Sequence, residues 1–323
     1  MRILGEVDVR KLLPMAACID AVESAFRARG SGKPATSAVA ALDLDGGVLH
    51  AKLGRLDGPR RYAVTKINAN FPDNFRKYSL PTIQGLVVLF DASRGTVLAV
   101  LDSGSLTAVR TAAASAVAAR YLSAGDASTA AFIGCGIQAR AHIDALLQVR
   151  PIDRAIFFDI DRQAAERLAA DARTAFGISA EVASDIESAV SDISIVVTST
   201  PSRKPFLTTK HIRSGTFIAA VGADSESKHE IDPDLMREAI VVVDDLAQCS
   251  RFGDLHHALA AGVMDITDVR GSLDQIVSGQ VRGRTTAEET IIFDSTGVAI
   301  EDVAAAVLAF EEAEKIGAGM VVT

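Results

Sequence analysis

From about Thr129 onward, short β-branched runs alternate with helical patterns, and this alternation limits the possible folds more than any other feature of the chain. TAAFIG is followed by a helical pattern to about Leu147, and RAIFFD by RQAAERLAADARTAF. ISIVVTST, GTFIAAVG and AIVVVDD come next, the last leading into LAQCSRFGDLHHALAAG. Strands separated by helices bury both kinds of apolar surface when the strands form a parallel sheet covered on its two faces. The expected class is therefore α/β, a Rossmann-type doubly wound parallel sheet.

The first 125 residues read differently. A helix near Ile19 to Arg29 precedes strand-like pieces around Val48 to Leu53, Tyr62 to Phe71, Gly85 to Asp91 and Thr96 to Asp102. DASRG, between the last two, suits an antiparallel hairpin. This is a smaller α+β domain. The alanine-rich segment Ser105 to Leu122 leads into the parallel region, and the last helix, Val298 to about Lys315, returns to the first domain. The expected division is residues 1–122 plus 299–323, and 123–298.

With 323 residues, 49% of them hydrophobic, the chain is long enough for two domains. Its net charge of −8 comes without a basic stripe, so neither nucleic acid nor an anionic membrane surface is expected as a partner. No apolar run approaches a membrane span and the start resembles no secretory signal, so the expected location is the cytoplasm. Cys18, Cys135 and Cys249 are far apart and are read as reduced thiols. His256 and His257 are read as a solvated turn rather than a metal pair, and no metal is expected.

A dinucleotide motif has meaning only between a strand and a helix, where glycines let the backbone approach a pyrophosphate at a helix N-terminus. FIGCGIQARAH has this context. Gly134, Gly136 and Ala139 follow the strand AAFI, with alanine in the third position. Ile137 and Gln138 open the helix, and the Gln138 amide is within reach of phosphates. Asp159 ends the next strand 25 residues after Gly134, near the roughly 20-residue spacing of an acid that binds a ribose 2′-hydroxyl. A carboxylate there repels a 2′-phosphate, so NADH is favoured over NADPH. The competing explanation is a tight turn and an ordinary helix cap. Thr198, Ser199 and Thr200 end the strand ISIVVTST, where an open sheet faces the nicotinamide half.

Charged residues near such a crevice are candidates for substrate chemistry. Lys66 lies inside the apolar strand AVTKINANF, where a buried amine needs an anionic partner; the other possibility is an exposed alternating face. Arg110 is taken to open the alanine-rich helix, where the dipole disfavours a cation unless an anion is bound as well; an ordinary surface arginine is the alternative. Asp224 follows FIAAVGA at the carboxyl end of the sheet, and is either a general acid/base or a simple turn residue.

Taken together in this order, KINANFPDN, LPTIQG, LTAVRTAAASAVAARYL, GCGIQA, VGADSESKHEID and FDSTGVAIEDV resemble the ornithine cyclodeaminase/mu-crystallin family, which includes archaeal-type alanine dehydrogenases and imino acid (ketimine) reductases. The resemblance covers nearly the whole chain. It implies a homodimer with a substrate-binding and dimerisation domain, completed by the C-terminal helix, and an NAD-binding Rossmann domain. It also implies that Lys66 and Arg110 bind a substrate carboxylate and that Asp224, with Lys66 beside it in the catalytic set, is the acid/base. Lys228 matches a cofactor-contacting lysine, Thr82 and Ser295 match positions near the nicotinamide end, and Val221 and Arg110 join the cofactor set.

Two departures bear on the substrate. No arginine occurs between Arg29 and Arg55, where many members carry a second carboxylate clamp. His50 and Lys52 stand where cyclodeaminases place a glutamate, and they would repel an ornithine ammonium. The expected substrate is a small amino or imino acid with a neutral or acidic side chain. Lys52 either meets a second carboxylate or faces solvent on an alternating strand. The expected activity is hydride transfer to or from the α-carbon by a ketimine reductase or amino acid dehydrogenase. The alternatives are an ornithine cyclodeaminase using bound NAD and a non-catalytic NAD(P)H-binding protein of mu-crystallin type.

Overall fold

The computed structural model describes residues 1–33, 35–58 and 60–322, and the side chains of all of these except positions 35, 36, 75 and 76. The chain divides into two units, Met1–Ala114 with Val298–Thr323, and Ser115–Gly297. The division falls within one long helix, Ser103–Leu122.

The first unit is built on a seven-stranded sheet. Its strands are β1 (Arg2–Leu4), β2 (Ala35–Leu44), β3 (Gly47–Leu56), β4 (Tyr62–Asn70), β5 (Ile83–Asp91) and β6 (Thr96–Asp102), with Met320–Val321 at the edge. The order is Met320–Val321, β1, β6, β5, β4, β3, β2. From β2 to β6 the strands form an antiparallel meander, and Gly95, at φ +71°, makes the turn between β5 and β6. Of the ten residues of β2 only Val39, Leu42 and Leu44 are large and apolar, and so its pairing with β3 over ten residues has little sequence signal. The C-terminal helix Ala299–Ile316 lies against β3 and β4 and packs on the helix Met15–Gly30. Gly54 permits this, because a Cβ there would come within 2.8 Å of the Ala299 carbonyl.

The second unit is an eight-stranded, wholly parallel sheet. Its strands are β7 (Thr129–Ile133), β8 (Arg154–Phe158), β9 (Ser179–Val182), β10 (Ile195–Thr198), β12 (Phe217–Ala220), β14 (Ile240–Val243), β15 (Gly271–Ser272) and β16 (Ile291–Asp294). β11 (Arg203–Leu207) and β13 (His229–Ile231) pair separately. The sheet order is β15-β14-β16-β12-β10-β7-β8-β9. Chain order therefore reverses between β7 and β10, the point at which an open sheet leaves a crevice beyond its carboxyl ends. Buried apolar residues of the sheet, among them Ile156, Val196, Ile218, Val241 and Ile292, make one core under the flanking helices.

Among the described residues no helix is long and apolar enough to cross a membrane. All three cysteines are free and buried. Among the described residues there is also no group of three metal-ligating side chains.

Candidate functional sites in the two units

In the second unit the glycine loop sits directly at the strand reversal. Gly134 has φ +89°, and a Cβ on it would lie 2.8 Å from the Ser199 carbonyl oxygen and from Thr200 Cγ2. Only glycine meets both demands. Gly136 caps the helix Ile137–Leu147 with no side-chain hydrogen bond, and nothing lies within 4 Å of where its Cβ would be. The N–H groups of the helix's first turn have no intrahelical acceptors, so this open terminus suits an anion. Asp159 follows β8; its Oδ2 accepts from Cys135 N at 2.7 Å and its Oδ1 from Asp161 N at 2.8 Å. Ile137 is exposed, and the buried Gln138 Oε1 has no hydrogen-bond partner among the described residues.

The same helix is held from behind by His142. Its Nδ1 meets the Gln138 carbonyl at 2.8 Å and its Nε2 the Ser115 hydroxyl at 2.9 Å. Because a carbonyl can only accept, Nδ1 carries the proton and Nε2 accepts from Ser115. Burial pushes His142 down to about 4, so the ring stays neutral at physiological pH.

Asp224 lies beyond β12 in the loop that runs to β13. Lys228 Nζ reaches its Oδ1 at 2.5 Å, and both side chains are partly exposed. Val221 N donates to the Thr198 carbonyl, which ties the start of this loop to β10. Ser295 is almost wholly buried; its hydroxyl donates to Asp244 Oδ2 at 3.0 Å. His256 and His257 differ from the expected solvated turn. They belong to the helix Asp254–Ala260, and His257 stacks on His229 at 3.8 Å between ring centroids while bonding the Lys228 carbonyl. The aromatic contact and the carbonyl bond draw the pair inward.

In the first unit Lys66 faces the C-terminal helix and is only 3% exposed, which removes the exposed-face alternative. Its Nζ contacts Asp302 Oδ1 at 2.8 Å. Arg110 is eight residues into the helix Ser103–Leu122, so it stands two turns inside that helix and not at its N-terminus. Its burial is explained by Glu301, whose Oε2 lies 2.6 Å from Nη1, and by Asp302 Oδ1, 2.9 Å from Nε. Two cations therefore converge on a single carboxylate oxygen. Lys52, on β3, pairs directly across from Lys66, and His50 shares that face two residues earlier, across from Asn68. Lys52 is itself buried, so the solvent-facing alternative is also removed. Thr82 precedes β5, whereas Lys66 pairs with Val87. At about 3.3 Å per residue it stands roughly 16 Å along the sheet from the cations.

The electrostatics follow from this crowding. Burial pushes Lys66 down to about 7, and the neighbouring guanidinium of Arg110 and ammonium of Lys52 add to the effect against the pull of Asp302. Asp302 is also buried, which would raise it, but Arg110, Lys66 and Lys52 hold it below the usual carboxylate range.

A model of the ornithine cyclodeaminase/mu-crystallin family matches residues 1–317. The chain belongs to this family. Three solved structures of the family resemble it over its whole length. An archaeal alanine dehydrogenase, a dimer with bound NAD, is 36% identical with a TM-score of 0.94, covering 100% of this chain and 99% of that one. The Δ1-pyrroline-2-carboxylate reductase of Thermococcus litoralis, in complex with NADH and L-proline, is 31% identical with a TM-score of 0.96, covering 100% of both. The iminosuccinate reductase of Paracoccus denitrificans, in complex with NAD+, is 31% identical with a TM-score of 0.92, covering 100% and 99%.

Sequence reasoning did not single out Glu301 and Asp302, because two acids in the first turn of a helix are ordinary capping residues. Their signal was the apolar setting GVAIEDVAAAV, in which no partner cation lies nearby in sequence. Removing one of them strands a buried cation. Asp302→Asn is expected to destabilise the first unit by about 3 to 5 kcal/mol. Urea denaturation followed by circular dichroism measures this, and an unchanged midpoint would show that the ion pair contributes nothing.

Proposed function

We propose that this protein is an NADH-dependent oxidoreductase acting at the C–N centre of a small 2-imino or 2-amino acid, a ketimine reductase in one direction and an amino acid dehydrogenase in the other. The observation that carries the reading is the convergence of Lys66 and Arg110 on one oxygen of Asp302 in a buried setting. Burial, with Arg110 and Lys52 nearby, holds Lys66 near 7, and a substrate carboxylate placed beside it would favour its charged form. The three family structures carry names that share this chemistry: alanine, proline's imine and iminosuccinate all present a carboxylate next to a carbon bonded to nitrogen.

The second unit fits a nicotinamide dinucleotide through the Gly134 approach, the uncapped helix at Gly136 and Ile137, and Asp159 after β8. When bound, that cofactor supplies or accepts the hydride. Lys66 and Arg110 orient the substrate by its carboxylate, and orientation of this kind contributes much of an enzymatic rate. Asp224, ionised, stabilises the iminium and exchanges the proton that the nitrogen gains or loses, and Lys228 keeps that carboxylate in place. Asp159 favours NADH, since its negative charge opposes a 2′-phosphate. Lys52, opposite Lys66, and His50 disfavour an ammonium side chain and suit a neutral or acidic one. The reduced thiols and the cofactor agree with a cytosolic enzyme.

The active form on this reading is a homodimer. The sheet face turned away from the C-terminal helix carries Leu53, Ile67 and Leu86, all more than 40% exposed, and Ile67 pairs directly with Leu86. An apolar patch spanning three adjacent strands calls for a cover, and a second copy supplies one with the same character. Ile67→Glu is expected to convert a dimer into a monomer in sedimentation experiments, and a variant that stays dimeric places the interface elsewhere.

Absorbance at 340 nm, with 2-oxo acids plus ammonia or methylamine and with cyclic imino acids, tests the activity with NADH and NADPH in parallel. Stoichiometric NADH oxidation is expected. Ammonia release from ornithine with no net NADH would replace this reading by a cyclodeaminase. Asp224→Asn is expected to retain NADH binding and lose turnover by about 100-fold or more, the span of a general acid/base contribution. The pH dependence has a definite sign. Lys66 is cationic below about 7 and neutral above it, so kcat/KM for a carboxylate substrate should fall as pH rises through that value. The limb should flatten in Lys66→Arg, whose charge does not titrate. A wild-type profile that is level to pH 9 would contradict the role of Lys66.

A further inference from the structure

Behind the loop that carries Asp224 lies a series of buried carboxylates that the mechanism above does not use. Glu230, on β13, is wholly buried, and each of its oxygens accepts two hydrogen bonds. Oε1 takes Thr200 N and the Thr200 hydroxyl, both at 2.7 Å. Oε2 takes the Thr198 hydroxyl at 2.7 Å and Gly222 N at 2.9 Å. One side chain thus ties together the carboxyl ends of β10 and β12. It also closes the base of the loop from Gly222 to Glu230, on which Asp224 and Lys228 are paired. Gly222 has no room for a side chain, since a Cβ would strike the Glu230 carboxyl group and the Thr200 carbonyl.

Glu230 is fixed from the other side. Asp254 Oδ1 accepts from Glu230 N at 2.8 Å and Ile231 N at 3.0 Å. Asp294 in turn accepts from Asp254 N at 3.2 Å and Leu255 N at 3.0 Å. Asp244, at the end of β14, accepts from the Ser295 hydroxyl and from Gly297 N at 2.6 Å. Four buried acids therefore knit the loops on the crevice side of the sheet. Such an arrangement is costly to bury and has no need of this many carboxylates for packing alone.

We infer that Glu230 is a positioning residue for the reaction: by accepting from Thr198, Thr200 and Gly222 it sets where the Asp224 loop stands against the carboxyl end of β10. The inference rests on the proposed hydride-transfer reading for the meaning of Asp224. A glutamine in its place keeps the size but turns one acceptor into a donor facing a backbone N–H. The loop must then shift. Burial raises Glu230, and the four donors oppose that rise.

Glu230→Gln and the milder Thr198→Val test this. Backbone amide exchange across 222–230 is measured by mass spectrometry, together with NADH affinity, kcat, the primary isotope effect with deuterated NADH, and thermal stability. In Glu230→Gln the loop should exchange about tenfold faster while β7 and β8 are unchanged, and kcat should fall by about 100-fold, the scale of a displacement near 1 Å. NADH affinity should hold within about threefold, and the isotope effect should rise as the hydride step becomes limiting. Thr198→Val should shift each readout in the same direction by less, and it carries the test if the glutamine variant does not fold. Unchanged loop exchange would overturn the inference. So would a loss of kcat that matches the loss of folded protein with an unaltered isotope effect. A wild-type protein with no NADH-linked turnover would sink the reductase reading instead, and the exchange result would still judge Glu230.

Discussion

Burial of Lys66 and Arg110 depends on Glu301 and Asp302, which the C-terminal helix brings across more than 190 residues of chain. An ammonium or guanidinium removed from water costs several kcal/mol even after relaxation, and only close, well-directed anions offset that cost. The two acids stand in the first turn of their helix, so the dipole favours their negative charge in the same place where the cations need it. The helix, the strand β4 and the helix Ser103–Leu122 are thereby fixed to one another by charge as well as by apolar contact. Gly54 completes the fit by leaving room for the Ala299 backbone. On the proposed function, the same cations that anchor the helix are the ones a substrate carboxylate would meet.

The second unit leaves backbone donors open at the N-terminus of the helix Ile137–Leu147, where the proposed cofactor's phosphates would bind, without leaving the loops loose. Gly134 brings the turn against Ser199 and Thr200, and Asp159 holds Cys135 N so that the turn keeps its shape. Neutral His142 ties the following helix to Ser115 without adding charge near the open N-terminus. A charged histidine there would compete for the same anion. Rigidity is supplied from behind, by hydrogen bonds among buried groups, and the face toward the crevice stays polar and open.

Much of this arrangement was legible in the sequence because it follows local rules. Strand and helix alternation gave the parallel sheet, and GCGIQA between a strand and a helix marked the strand reversal. A lysine inside AVTKINANF advertised a buried charge. The parts that were not legible depend on pairing between distant segments. Nothing local distinguishes Glu301 and Asp302 from ordinary first-turn acids, and Arg110, read at a helix start, already stood more than a turn inside the helical pattern that begins at Ser105. β2 was missed since small residues give a weak alternation, and its strand character comes from β3 beside it. Asp254 starts a helix and Asp294 ends a strand, where acids are common, Glu230 lies in a strand of three residues, and only the folded sheet brings them into line. His256 and His257 were assigned to solvent because the stacking partner, His229, is almost thirty residues away in the chain.

The split first unit has a consequence for how the protein is made. On a ribosome adding about 5 to 20 residues per second, Lys66 and Arg110 emerge roughly 10 to 45 seconds before the helix that neutralises them. During that interval the meander lacks both its covering helix and its counter-ions, while the parallel sheet, continuous from Ser115 to Gly297, gains its strands one by one, the last of them, β16, ending at Asp294 just before the helix begins. The second unit thus has all its strands only a few residues before the C-terminal helix can close the first, and the unit begun earliest is the last to be completed.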